Sequence, residues 1–231
     1  MSQVEDQFYQ TIWREKIERE QDLAADGNLR VDAALPLLDR GQRLLDIGCG
    51  EGTLGSRART LFAEVHGIDI ADDAVRLATH NGIIARRVNL NNEPLPYPDA
   101  YFDTVVTLDV IEHVFDPVRF VGEIVRVLQP GGSVILSTPN IRKIQRIVTL
   151  VRGRFPRTSF DPVGYDGGHL HYFTARDVQI LFEASGLSVA HLGGIFGDRR
   201  TWKYRLAVAL CGNNAEREFL ANAILIKAHK Q

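Results

Sequence analysis

The chain has 231 residues, of which 45% are hydrophobic and 24% charged, and its formal net charge is −2. These values fit one globular domain and exclude a disordered chain or one whose overall charge attracts a polyanion. Two cysteines and the lack of an apolar run of about eighteen residues predict free thiols in a cytoplasmic protein, with no disulfide framework and no membrane span.

The elements follow a regular order along the chain. Apolar residues recur at helical spacing between Phe8 and Ile17, and a second helix is expected from about Asn28 to Leu38, where Pro36 would shorten it. Beyond residue 40, apolar runs alternate with helical periodicity, which is typical of strands separated by helices. The predicted strands are about 43–47, 65–69, 83–88, 102–108, 133–138, 187–192 and 220–228, and the predicted helices are about 53–62, 72–80, 117–129, 141–151, 174–185 and 199–210.

A glycine-rich turn follows the first predicted strand. Gly48, Gly50 and Gly52 allow backbone conformations that other residues avoid, and they let a ligand approach the main chain. The helix after them points its first N–H groups into the same space. Asp69 ends the second predicted strand. This order indicates a nucleoside-binding unit, in which the acid accepts hydrogen bonds from both ribose hydroxyls.

The glycine spacing argues against a dinucleotide. A pyrophosphate-binding turn reads G-x-G-x-x-G, whereas this turn reads G-x-G-x-G, with Asp46 before it and Glu51 inside it. Two carboxylates would repel a pyrophosphate and would suit a ligand with a free ammonium group. An NAD-linked oxidoreductase is therefore the weaker alternative.

Five segments, in order, resemble the motifs of class I S-adenosylmethionine-dependent methyltransferases. They are Asp46–Gly52, Gly67–Asp69, Leu95–Asp99, Phe102–Val106 and Leu128–Gly132. The resemblance covers about residues 40–140 and implies an α/β fold with a Rossmann-like, doubly wound sheet. Such a sheet has seven strands and is mostly parallel, with an antiparallel last strand. The implied cofactor is S-adenosyl-L-methionine, which becomes S-adenosyl-L-homocysteine.

The same resemblance assigns residues to the cofactor. Asp46 would hold the amino group of the ligand, and Asp69 would hold the ribose. Asn89 stands where many members carry an acid that binds the adenine amino group, although it can equally be a loop residue bonded to its own backbone. Trp13 is expected on an N-terminal helix that closes the site. The predicted cofactor set is Asp46, Gly48, Cys49, Gly50, Asp69, Ile70, Asn89, Leu90, Asp109, Val110 and Trp13.

Three histidines are the candidates for catalysis, because imidazole titrates near neutrality and can act as a general base. His113 follows the fourth predicted strand, while His169 and His171 lie in a glycine-rich segment before a helix. For each histidine the alternative is a structural role in its loop. No metal site is predicted, since two histidines need a third ligand and the spacing of Asp161 and Asp166 is not compelling.

These patterns predict a methyltransferase that acts on a small molecule. The segments beyond residue 140 resemble bacterial enzymes that O-methylate quinone precursors, sugars or secondary metabolites, which favours O-methylation. No Asn-Pro-Pro-Tyr motif of nucleic-acid methyltransferases follows the fourth strand, and neither a nucleic-acid nor a membrane partner is expected. The alternative is a methyltransferase-like partner protein that binds another enzyme.

The expected organisation is a single domain over residues 1–231. Residues 1–38 would form a helical lid, and residues 141–172 and 195–216 would be insertions on the substrate side. The oligomeric state is left open.

Overall fold

The computed structural model describes residues 7–11, 14, 27–159, 165–197 and 216–231. Its strands are β1 Gly41–Ile47, β2 Phe62–Asp69, β3 Ile84–Arg87, β4 Phe102–Leu108, β5 Leu128–Pro139, β6 Leu187–Ile195 and β7 Ala223–Lys230. They form one seven-stranded sheet in the order β3-β2-β1-β4-β5-β7-β6. Strand β7 is antiparallel to both of its neighbours, and the other pairs are parallel. The predicted Rossmann-like sheet with an antiparallel last strand is therefore confirmed.

Helices cover both faces of this sheet. They are α1 Gly27–Ala34, α2 Thr53–Ala58, α3 Asp72–His80, α4 Pro117–Val127, α5 Ile144–Val151 and α6 Ala175–Ala184. Residues 7–11 and 14 are also helical. Within the described ranges, no helix is both long and apolar enough to cross a membrane.

The core has two halves, one on each face of the sheet. Strand β4 supplies both, because successive side chains point to opposite faces. Val105 packs on the side of α4 and α6, with Phe182 from the latter helix. Val106 packs on the other side with Leu54 from α2 and Val31 from α1. This double burial explains the nearly continuous β-branched run of β4.

Several boundaries differ from the predicted ones. Helix α2 ends at Ala58, not near residue 62, because Phe62 already pairs with Gly41 at the start of β2. Strand β5 begins at Leu128 instead of residue 133, since the chain pairs with β4 on both sides of a register shift that contains Gly131 at φ 77°. The predicted helix at 199–210 lies outside the described residues.

The ends of the last elements also shift. Residues Glu216–Leu220 form one π-helical turn, so β7 starts at Ala223 and not at residue 220. Helix α5 starts at Ile144 and not at residue 141. Helix α3 has Ala71 at its N-cap and Asp72 in its first turn.

Candidate active site

The glycine turn lies between the ends of three neighbouring strands. Gly48 and Gly50 have φ values of 71° and 54°, in the left-handed region that favours glycine. The amides of Gly48 and Cys49 both donate to the carbonyl oxygen of Ile68 in β2, at 2.8 and 3.0 Å. A Cβ atom at position 48 would collide with Cγ2 of Val110. The turn is therefore packed between β2 and the loop after β4.

Asp69 is fixed directly under this turn. Its Oδ2 accepts a 2.9 Å hydrogen bond from the Gly50 amide, and its Oδ1 accepts a 3.0 Å bond from the Ala71 amide. A carboxylate at the carboxyl end of the second strand is the group that accepts hydrogen bonds from ribose hydroxyls in nucleoside-binding units of this kind.

Asp46 is buried in the middle of the sheet, with 4% of its surface exposed. Burial, together with the negative charge of Asp69, raises the pKa of the Asp46 carboxyl to about 7. A buried carboxylate needs a compensating cation. The ammonium group of S-adenosylmethionine is such a cation, so the donor set fits this cofactor. Burial also raises the pKa of the Cys49 thiol far above its ordinary value, which keeps this cysteine from acting as a nucleophile.

The loop after β3 carries the predicted adenine contacts. Asn89 is buried, and its Oδ1 accepts a 3.0 Å hydrogen bond from the amide of Asn91. Leu90 is partly buried against the core. The Asn89 side chain thus makes a local hydrogen bond to the backbone, which the sequence analysis gave as the alternative to adenine recognition. Ile70, another predicted cofactor residue, is half-buried between Asp69 and Ala71.

Asp109 marks the end of β4 and has a positive φ of 55°. Its Oδ1 accepts a hydrogen bond from the Ser137 hydroxyl of β5, and its Oδ2 forms an ion pair with Nε of Arg30 in α1. The N-terminal part of the chain is thereby tied to the loop that also carries Val110.

Residues 7–11 approach the same region from another side. The Tyr9 ring lies 5.9 Å from the His113 ring, measured between centroids. Phe8 packs so closely on Gly168 that an added Cβ would lie 2.8 Å from the phenyl ring. Trp13, which the sequence placed among the cofactor residues, lies outside the described residues.

Glu112, His113 and His169 come together beside the loop after β4. One carboxylate oxygen and one nitrogen of each ring all lie within 4.8 Å of one another. Oε2 of the fully buried Glu112 accepts a 3.0 Å hydrogen bond from the Thr138 hydroxyl, whereas its buried Oε1 has no partner among the described residues. Burial and the nearby charge of Asp109 raise the pKa of the Glu112 carboxyl well above its usual range.

A chain of hydrogen bonds orients His169. The Thr158 hydroxyl donates to Oδ2 of Asp166 at 2.8 Å, and its oxygen lies 2.6 Å from Nδ1 of His169. Burial alone would raise the pKa of the Asp166 carboxyl, but hydrogen bonds from Ser159 and Thr158 lower it below its usual value. The ionised carboxylate accepts the hydroxyl proton, so the Thr158 oxygen must accept from His169. His169 therefore carries its proton on Nδ1.

The backbone holds the two histidine loops together. The carbonyl oxygen of Glu112 accepts hydrogen bonds from the amides of Leu170 and His171, at 2.8 and 3.1 Å. The His171 ring itself packs near Phe173, with 6.1 Å between ring centroids. Among the described residues, the cluster includes His113 and His169 but not His171.

The sequence pointed to the two histidines of this cluster but singled out neither Glu112 nor Thr158, which orients His169. The Glu-His pair at the end of β4 is the signal that could have led to the former. No local pattern marks Thr158, because its role depends on how an irregular segment folds back onto Asp166.

Comparison with known proteins agrees with this geometry. Residues 17–192 match a family model described as "Methyltransferase domain", which is more than half of the chain. A ubiquinone biosynthesis O-methyltransferase of Cereibacter sphaeroides is 35% identical over 180 residues, covering 76% of this chain and 72% of that protein.

Two further similarities concern the cofactor and the fold. A protein of Mycolicibacterium smegmatis whose name begins "Probable S-adenosylmethionine-dependent methyltransferase" is 34% identical over 68% of this chain, which spans only 56% of that relative's length. The crystal structure of an S-adenosylmethionine-dependent methyltransferase from Mesorhizobium loti superposes with a TM-score of 0.63, covering 89% of this chain and 99% of that one at 19% identity. The chain belongs to the family of S-adenosylmethionine-dependent methyltransferases.

Proposed function

We propose that this protein transfers the methyl group of S-adenosylmethionine to a hydroxyl oxygen of a small molecule. The observation that carries the proposal is the position of the Glu112–His113–His169 cluster next to the cofactor-type turn. Val110 packs on Gly48 of the turn and lies two residues before Glu112. The similarity to a ubiquinone biosynthesis O-methyltransferase supports an oxygen acceptor.

The cofactor would lie across the carboxyl ends of β1, β2 and β4, where open α/β sheets bind ligands. Asp69 would accept hydrogen bonds from the ribose, and Asp46 would pair with the ammonium group. When bound, the cofactor supplies an electrophilic methyl group on a sulfonium. The remaining proposed contacts are Gly48, Cys49, Gly50, Ile70, Asn89, Leu90, Asp109, Val110 and Trp13.

The cluster would act on the acceptor. A hydroxyl becomes a good nucleophile when its proton leaves, and proton transfer to a positioned group accelerates such reactions by about 10²- to 10⁴-fold. His169 is the best oriented of the three candidates, because Thr158 and Asp166 hold its ring. His113 would border the same acceptor, and His171 would line the pocket from the adjacent loop.

Two other parts of the chain would enclose the acceptor. We assign this role to residues 1–38, as a lid, and to the insertions 141–172 and 195–216. The contacts of Phe8 with Gly168 and of Tyr9 with His113 support a lid that reaches the histidine cluster. Enclosure would align the reactants and keep water from the sulfonium.

Titration calorimetry and a methyl-transfer assay test this function. The protein should bind both S-adenosylmethionine and S-adenosylhomocysteine, and it should methylate at least one member of a panel of phenols, sugars and carboxylates. The product's mass and fragmentation should show a methyl ether. Binding of NAD but of neither adenosyl ligand would overturn the proposal, and so would methylation on nitrogen or carbon only.

A further inference from the structure

The cluster beside the cofactor-type turn brings acceptor atoms together, because an ionised carboxylate only accepts hydrogen bonds and a neutral imidazole ring has one nitrogen that accepts and one that donates. A carboxylate oxygen of Glu112 and a nitrogen of each of the two rings converge within 4.8 Å. Oε1 of Glu112 is fully buried and has no partner among the described residues. A buried acceptor without a partner is costly, so such a convergence calls for a shared positive charge.

The hydrogen bonds around each ring decide which of its two nitrogens carries the proton. Nδ1 of His169 donates to the Thr158 oxygen, as derived above, so Nε2 of the neutral ring carries the lone pair. Nδ1 of His113 lies 3.3 Å from the carbonyl oxygen of Gly168, which can only accept. The same reasoning leaves Nε2 of His113 as the unprotonated nitrogen. A metal-binding histidine has this arrangement, in which the distal N–H is held by a carbonyl, carboxylate or water.

We propose that Glu112, His113 and His169 bind one divalent transition-metal ion, and that the acceptor hydroxyl of the proposed reaction coordinates this ion. The inference rests on the proposed function for the identity of the acceptor, but metal binding itself does not. The expectation from sequence was that two histidines lacked a third ligand. The fold provides that ligand, Glu112, from the loop after β4, which is 57 residues away from His169 in the chain.

The ligand set defines the class of metal. Two imidazole nitrogens and one carboxylate suit zinc, manganese or iron(II), whereas magnesium and calcium prefer oxygen ligands. Three protein ligands leave at least one coordination position for a substrate oxygen, as in catalytic zinc sites. Atoms that share a tetrahedral ion at about 2.1 Å lie roughly 3.4 Å apart, so binding would draw the three atoms together by up to about 1.4 Å.

The scaffold around the ligands is suited to such a site. The Glu112 carbonyl binds the amides of Leu170 and His171, which fixes the His169 loop against the end of β4. Thr158 and Asp166 form the outer layer that orients His169. Replacing outer-layer partners of this kind typically weakens metal affinity by about 10- to 100-fold.

With the ion bound, the lone pair of His169 would be on the metal, so the ion would take the place of His169 in activating the acceptor hydroxyl. When the acceptor oxygen coordinates the ion, the positive charge lowers the pKa of the hydroxyl, and its proton leaves to solvent water. The oxygen then forms a bond to the methyl carbon while the carbon–sulfur bond breaks. The electron pair of that bond remains on sulfur, so the products are a methyl ether and S-adenosylhomocysteine.

Metal binding can be measured without any acceptor. The 231-residue chain without a histidine tag is stripped of metal with EDTA, desalted and titrated with Mn²⁺, while electron paramagnetic resonance records the free ion. A parallel calorimetric titration uses Zn²⁺. We expect one ion per chain, with affinity reduced at least tenfold in Glu112→Gln and His169→Ala.

Two further variants separate a built site from general histidine binding. Thr158→Val keeps all three ligands but removes the hydroxyl that orients His169, so it should weaken Mn²⁺ binding about tenfold. His191→Ala removes an exposed histidine on β6 and should leave the affinity unchanged. Circular dichroism identifies any variant that does not fold. If a ligand variant does not fold, the Mn²⁺ affinities of Thr158→Val and His191→Ala are compared instead.

The outcomes distinguish a failure of the proposed metal site from a failure of the proposed methyl transfer. The metal site is wrong, whatever the protein methylates, if the wild-type protein binds neither Mn²⁺ nor Zn²⁺. It is also wrong if a folded His169→Ala variant binds the two ions as tightly as the wild type does. If the stripped enzyme methylates its acceptor at the full rate in EDTA, the role of the metal in the reaction is overturned. Absent binding of S-adenosylmethionine would instead refute the proposed function and leave the measured metal affinity in place.

Discussion

The backbone amide of Gly50 donates a 2.9 Å hydrogen bond to Oδ2 of Asp69, which joins the turn after β1 to the acid at the end of β2. The carboxylate that would hold the ribose therefore also shapes the loop that would receive the rest of the cofactor. A change at Asp69 should affect both.

Replacing Asp69 should weaken cofactor binding strongly. Asp69→Ala leaves the ribose hydroxyls and the Gly50 amide without their acceptor, and a lost buried partner of this kind costs about 2 kcal/mol, or roughly 30-fold in Kd. Calorimetry with S-adenosylhomocysteine measures the effect. Asp99→Ala, which removes an exposed acid paired with Arg126, is the matched control and should leave Kd unchanged. An equal Kd in both variants would contradict the assignment.

Cofactor affinity should increase with pH up to about 7. The Asp46 carboxyl, with its pKa raised to about 7, must lose its proton before it can pair with an ammonium group. The apparent Kd of S-adenosylmethionine should therefore fall about fivefold between pH 6 and 7, and binding near pH 6 should release a proton. Calorimetry in two buffers with different ionisation enthalpies counts that proton.

The raised pKa of Asp46 also makes the stability of the unliganded protein depend on pH, in the direction opposite to that of cofactor affinity. Between the ordinary value of 3.8 and about 7, the folded chain keeps a proton on Asp46 that the unfolded chain has lost. The contribution of this group to the free energy of unfolding therefore falls as pH rises across that window. Asp46→Asn should remove both pH dependences. A variant that keeps the full pH dependence of binding would show that another group is responsible.

The glycine at position 48 should be irreplaceable. Gly48→Ala combines a left-handed φ of 71° with a collision against Val110, and strain of this kind costs about 1–3 kcal/mol. Thermal denaturation should show a lower Tm together with weaker cofactor binding. Gly122→Ala makes the same chemical change on the exposed side of α4, where no atom lies within 4 Å of the new methyl, and it should raise stability by roughly 0.5–1 kcal/mol. Similar losses in both variants would refute this reading.

The two histidines of the glycine-rich loop should differ in their effect on turnover. His169 belongs to the cluster, whereas the His171 ring packs near Phe173. We expect His169→Ala to lower kcat by about 10²-fold or more and His171→Ala to lower it much less. Calorimetry should give an unchanged Kd for S-adenosylmethionine in both. Equal turnover in wild type and in His169→Ala would leave that histidine a purely structural role.

The strands and the cofactor turn could be predicted because their signals are local. Alternating apolar runs, the three glycines and Asp69 lie close in sequence, so spacing alone indicates their arrangement. The antiparallel β7 came from family resemblance, and its start was misplaced because Leu220 continues the apolar pattern while forming part of a π-helical turn.

The cluster could only be half predicted. The Glu-His pair after β4 draws attention to that loop, but it does not indicate that His169 lies beside it. Its proximity to His169 depends on the Glu112 carbonyl, which binds the Leu170 and His171 amides across a long sequence separation. Thr158 enters through an irregular segment, for which periodicity offers no guide.

The ion pair between Arg30 and Asp109 gives a test of the N-terminal region. Arg30→Ala should raise the Kd of S-adenosylmethionine by about threefold, because the Asp109 loop loses one of its two side-chain restraints. The effect is small since Arg30 is 41% exposed. Arg57→Ala breaks the exposed ion pair of α2 with Asp32 of α1 and should leave Kd unchanged. Equal affinities in the two variants would show that the pair with Asp109 does not matter for binding.

The Arg30–Asp109 ion pair also couples cofactor binding to the docking of α1. If the cofactor binds more tightly when Arg30 holds Asp109, then the bound cofactor must in turn stabilise the docking of α1 by the same free energy. Amide hydrogen exchange in α1 should slow on addition of S-adenosylhomocysteine, and it should slow less in Arg30→Ala. Helix α1 would then report occupancy of the nucleoside site, although none of its residues is among the proposed cofactor contacts.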